Sequence, residues 1–226
     1  MVLLRFKAAS RVQHISAGCL LVVVGLLLGR CKSGHNYERL PFYNTADFTA
    51  DWISPGDKGY DSIHKIGAFA LRNQLGHVFT NDSLKGKIYT ANFFFTVCSS
   101  ICPKMMFNLK KLQDSFRTNK EVQMVSFTVM PETDSVARLA AYGESMDIYP
   151  TKWHLLTGDE QVINTLGRQS FFAEKKEGLQ KDATEFLHTQ VMLLIDKESR
   201  IRGVYDATLP PDIDRAVADI RTLMQE

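Results

Sequence analysis

Residues 87–95 read KIYTANFFF and residues 121–129 read EVQMVSFTV. Both are near-continuous apolar, β-prone runs, as expected of strands covered on both faces. Between them Met106, Leu109, Leu112 and Phe116 recur at three- and four-residue spacing, which predicts a helix with one apolar face over 103–116. A strand–helix–strand core of this kind restricts the chain to an α/β sandwich with parallel central strands.

The flanking sequence extends the pattern. Residues 66–71 and 77–80 predict a strand pair about a turn at 73–76, and 82–86 a short turn or helix. Further helices are predicted over 135–146 and 160–167, with a strand at 153–156 between them. Residues 191–195 and 201–205 flank DKESR as a hairpin, and 212–224 closes the chain as a helix striped by Ile213, Val217, Ile220 and Met224. The expected fold is therefore α/β, a central mixed sheet flanked by helices.

The first 32 residues stand apart. Arg5, Lys7 and Arg11 precede the apolar run ISAGCLLVVVGLLLG at 15–29, and Arg30 and Lys32 close it. A basic flank before about 15 apolar residues fits a signal segment or a short membrane anchor. Cys31 sits where a lipid-modified cysteine could be, but Arg30 stands where such signals want a small residue, so an uncleaved anchor is preferred to a lipoprotein. Residues 1–32 are thus read as signal or anchor, 33–60 as a Gly/Pro/Asn/Asp-rich tether with one short strand near 48–53, and 61–226 as the folded domain, held outside the cytoplasm on the periplasmic side. The net charge of +2 gives no reason to expect nucleic acid.

The chemistry centres on Cys98 and Cys102, in FFTVCSSICP just past the first buried strand. Sites in open α/β sheets lie at the C-terminal strand ends. Pro103 suits the first helical position, which would make Cys102 the N-cap. A helix N-terminus raises the thiolate fraction, and soft thiolates select Cu(I), Zn or iron–sulfur centres. The spacing by itself admits a structural staple, a redox couple or a metal site. A metal would need a third ligand. His188, in EFLHTQVMLLID before a buried strand, is the histidine that an α/β sandwich could bring near the thiols. His64, His77 and His154 read as structural or solvated, and Met105 and Met130 as possible auxiliary contacts.

The stretches LKGKIYTANFFFTVCSSICPKM (84–105), VSFTVMPETDS (125–135) and HTQVMLLIDKESRIRGVY (188–205) resemble the SCO/SenC family of thioredoxin-like copper chaperones, which serve assembly of the copper site of cytochrome c oxidase. The resemblance implies a thioredoxin-like fold, copper as Cu(I) or Cu(II) held by Cys98, Cys102 and His188, and a redox-active Cys98–Cys102 disulfide. It also implies an N-terminal membrane attachment, and a copper-accepting oxidase subunit or another apo cuproprotein as partner. Two positions depart from the family pattern. Met130 stands where an aspartate is usual, in Met130-Pro131-Glu132, and Leu187 where an acid often precedes the histidine. Neither change removes a ligand, but both remove acceptors that could orient one.

Such a chaperone works by ligand exchange and is not an enzyme in the strict sense. The rival expectation is an exported thiol–disulfide oxidoreductase or thiol peroxidase, with Cys98 attacking and Cys102 resolving. It would not need His188, and a peroxidase would want an arginine at the thiolate, which the motif lacks. A stapled structural module is the third alternative.

Overall fold

The computed structural model describes residues 39–173 and 189–226. The expected anchor (1–32), Cys19, Cys31, His14, His35, Leu187 and His188 lie outside the described residues. Among the described residues, no helix is long and apolar enough to cross a membrane.

Strands β3 (Ala70–Asn73), β4 (Val78–Thr80), β5 (Ile88–Phe94), β6 (Val122–Thr128), β7 (Trp153–Thr157), β8 (Val191–Ile195) and β9 (Ile201–Asp206) form one sheet in the order β4-β3-β7-β6-β5-β8-β9. β5, β6 and β7 run parallel, while β8 pairs antiparallel with β5 and β9 antiparallel with β8, which makes the sheet mixed. This is the expected thioredoxin-like architecture. Every residue of β5 is buried, because the strand is central and both its faces are covered. The helices are α1 (Ile101–Ser115), α2 (Val136–Ser145), α3 (Glu160–Thr165) and α4 (Pro210–Leu223).

Two apolar layers sandwich the sheet. On one face Phe94, Leu194 and Trp153 meet Met105, Met106 and Leu109 of α1, Leu139 of α2 and Ile213 and Ile220 of α4; Cys98 and Cys102 belong to this layer. On the other, Phe93, Phe127 and Phe171 close on one another with ring centroids 5.3–5.8 Å apart. Trp153 Nε1 donates to Ser126 Oγ, which donates to Asn92 Oδ1, so the buried hydroxyl and indole of the first layer are satisfied within the sheet.

Three details differ from the sequence expectation. The short strand expected at 48–53 is β2 (Ala50–Asp51), but it pairs with an unexpected β1 (Phe42–Tyr43) in a two-stranded ladder within the stretch read as a tether. Leu40 and Phe42 there are buried. Arg202, itself buried, donates to the Leu40 carbonyl at 2.6 Å and the Pro41 carbonyl at 3.0 Å, and pairs with Asp196. An arginine kept from water needs acceptors on its whole fork, and the backbone of 40–41 supplies them. Second, α3 runs into a π-turn at Leu166–Ser170, where His64 Nε2 meets the Ser170 carbonyl at 2.8 Å. Third, α1 starts at Ile101, not at Pro103.

Candidate metal and redox site

The thiols stand where the chain leaves β5. After Phe94 the backbone turns, with the Cys98 N–H donating to the Phe95 carbonyl at 3.3 Å, and α1 begins with Ser100 as N-cap. Cys102 is therefore inside the first helical turn, two places further in than the expected N-cap. Proline is tolerated at the third helical position because first-turn N–H groups have no intrahelical acceptor. Both cysteines are free, and Cys98 is 9% and Cys102 4% exposed.

No Ser100 side-chain bond caps α1. Cys98 stands just before the first-turn N–H groups. Burial pushes its pKa up, but hydrogen bonds from the Cys102, Ser100 and Ile101 backbone and from the Cys102 thiol outweigh this and bring it below the ordinary thiol value. Unpaired N–H groups and the positive end of the helix dipole favour an anion at this position. Cys102 moves the other way. Burial first, then its hydrogen bond to Cys98 and the charges of Cys98 and Asp134, push it up to about 12, against one lowering backbone bond from Phe95. One thiol is thus poised to ionise while its neighbour keeps the proton.

This split gives a direct expectation. Iodoacetamide at pH 8 should label Cys98 first, and Cys98→Ser should slow modification of the chain by at least about tenfold, since the thiolate is the reacting species. Mass spectrometry of partly labelled protein checks it; equal labelling of the two cysteines would contradict the split.

The loop behind the thiols is held by a residue that the sequence did not single out. Asp134 follows β6 and is fully buried. It accepts from the Thr96 N–H at 3.1 Å, from Thr96 Oγ1 and from Thr128 Oγ1. Arg138, on α2, donates from Nε to Thr96 Oγ1 at 2.8 Å. The expectation of no arginine by the motif thus holds for the sequence but not in space. Tyr142, one turn along α2, packs its ring at a tilt against Phe94, 5.7 Å between centroids; burial first, then the charges of Cys102, Cys98 and Asp134, raise its hydroxyl to about 12.

The other described histidines are elsewhere. His77 is exposed. His64 contacts Phe172 and Ser170. His154 packs on Phe79 at 4.5 Å on the opposite sheet face, where burial and then Lys152 hold its pKa down at about 4. Met105 is buried in the same layer as the thiols, whereas Met130 packs against the other layer. Among the described residues no group of three His, Cys, Asp or Glu side chains could hold a metal. The thiols supply two soft donors, and a third must come from elsewhere.

The chain re-enters the described fold at Thr189. β8 runs antiparallel to β5 with Met192 opposite Asn92, so the entry to β8 lies at the end of β5 from which the thiol loop departs.

Comparison with known proteins agrees with this architecture. The SCO1/SenC family model matches residues 58–225. A SCO1/SenC family lipoprotein from Bacillus anthracis is 27% identical, with a TM-score of 0.62, over 71% of this chain and 95% of that one. BsSco, described by its disulfide switch and as a member of the Sco family of cytochrome c oxidase assembly proteins, is 28% identical, with a TM-score of 0.61, over 72% and 95%. Arabidopsis thaliana ScoI with copper bound is 26% identical, with a TM-score of 0.55, over 71% and 98%.

Proposed function

The chain belongs to the SCO1/SenC family, and on that premise we propose that it is a copper chaperone that carries one copper ion on Cys98, Cys102 and His188 and delivers it to the copper site of cytochrome c oxidase. One observation carries the reading. Two free, adjacent, water-shielded thiols stand at a helix N-terminus, at the sheet end where the chain returns from residue 188. Thiolate sulfur with imidazole nitrogen suits copper in both oxidation states. Copper bound to A. thaliana ScoI supports the cargo, and the description of BsSco supports the client.

Ionisation of Cys98 gives copper a first anchor, and the ion then displaces the proton from Cys102. Transfer follows by ligand exchange with an acceptor site. Residues 1–32 would hold the domain at a membrane outside the cytoplasm. The lipoprotein description of the B. anthracis relative supports attachment at this end of the chain, through lipid or through the apolar run itself.

A second reading draws on the pKa split. A low-pKa Cys98 beside a proton-holding Cys102 is also the arrangement of an attacking and a resolving thiol. The same pair could reduce a disulfide in a client before loading it. Metal analysis separates cargo from pure redox work. The reduced protein, exposed to Cu(I) or Cu(II) and freed of excess ion, should retain one copper per chain. Retention of none, with turnover of a disulfide substrate intact, would leave the oxidoreductase standing.

A further inference from the structure

Asp134 is a carboxylate with no exposed surface, set directly behind the thiol loop. Its position is fixed from several sides. Its N–H donates to the Met130 carbonyl at 2.8 Å, the next residue caps α2, and its oxygens take the Thr96 and Thr128 groups. Its counter-charge is remote and wet. Arg138 Nε is 3.9 Å from Oδ1, and the arginine side chain is 48% exposed. Such a cation offsets a buried carboxylate incompletely. The remaining field reaches both Cys102 and Tyr142.

We propose that Asp134 is a positioning residue that sets which copper oxidation state the site prefers: through Thr96 it fixes the thiol loop, and its buried charge favours Cu(II) over Cu(I). This rests on the copper reading. Two thiolates around Cu(I) carry a net charge of −1, and around Cu(II) they carry none, whatever neutral ligand completes the site. Reduction adds one electron to the ion and forms or breaks no bond to sulfur. A fixed negative charge nearby therefore raises the energy of the Cu(I) form relative to the Cu(II) form.

Asp134→Asn removes the charge and keeps the shape. The amide oxygen can accept from the Thr96 N–H and Thr128 Oγ1, and the amide N–H can donate to Thr96 Oγ1. Arg138→Gln removes the counter-charge from a half-exposed position. The experiment titrates each variant and the parent with Cu(I) and with Cu(II) against competing chelators. In Asp134→Asn the ratio of Cu(II) to Cu(I) affinity should fall about three- to tenfold. In Arg138→Gln it should rise, by less, because that charge is screened. A purely structural role would weaken both ions together and leave the ratio alone. An unchanged ratio in Asp134→Asn, or a fall in Arg138→Gln, overturns the proposal. Should Asp134→Asn not fold, Arg138→Gln decides. A parent chain that binds neither ion sinks the copper reading, and this proposal with it, whereas a parent that binds both with unmoved ratios sinks this proposal alone.

Discussion

Replacing Cys98 and Cys102 by serine together should take copper retention from one ion per chain to none. The two sulfurs are the soft donors of the site, and among the described residues nothing stands ready to replace them. A serine hydroxyl does not ionise near neutral pH and is too hard to compete for Cu(I). The fold should survive. Cys98 lies at the rim of its layer, and burying a serine at Cys102 costs about 1–3 kcal/mol, less than a typical domain's stability. Circular dichroism confirms folding, and metal analysis gives the stoichiometry. Oxidation of the pair should have the same effect as the double substitution, because a disulfide has no thiolate to donate.

The same site predicts how affinity follows pH. Cys102 keeps its proton up to about 12. Across the neutral range, each copper bound must therefore expel that proton. Apparent affinity should rise about tenfold per pH unit, steepening towards a hundredfold where Cys98 is also protonated. The sign is fixed by the ligands, which bind as anions: acid weakens the complex and base strengthens it. A pH-independent affinity would mean that the sulfurs are not the donors, and copper retained by the double-serine variant would mean the same.

How much of this was legible depended on the range of the interactions. β5 and β6 could be read because a central strand buried on both faces leaves an unbroken apolar run. The β8–β9 hairpin could be read because its turn chemistry is local. The start of α1 was misplaced by two residues because Pro103 advertises a first position, while the true cap, Ser100, makes no side-chain bond. The part played by Asp134 was not legible at all. It is 38 residues from Thr96, and the two meet only because parallel pairing aligns Phe94 with Thr128 and brings the loops after both strands together. Arg138 escaped notice for the same reason, since an arginine outside the motif becomes its neighbour only through α2. Residues 40–43 gave no sign of belonging to the fold because their partner Arg202 lies some 160 residues away, and a buried arginine cannot be told from a surface one by its letter.

His188→Ala should leave the dithiol chemistry unchanged and cut Cu(II) affinity by about tenfold or more, with Cu(I) much less affected. The asymmetry follows from the ions. Cu(I) is content with two thiolates, whereas Cu(II), a borderline acid, depends on nitrogen and on a third bond. The imidazole must be neutral to bind, so in the parent protein Cu(II) affinity should fall further as pH drops below about 6.5, and the variant should lose that component. Loss of one donor to the ion is comparable to the loss seen when the groups that orient metal ligands are removed, about 10–100-fold. The measurement is titration of reduced protein with Cu(II), followed through the thiolate-to-copper charge-transfer absorption. The variant should show a shifted, weaker band and an earlier loss to chelator, while its thiol count and its rate of disulfide closure match the parent. A band and an affinity identical to the parent would strike His188 from the site. The thiols would then be left as a two-sulfur redox pair, and the oxidoreductase reading, for which Cys98 and Cys102 suffice, would take precedence.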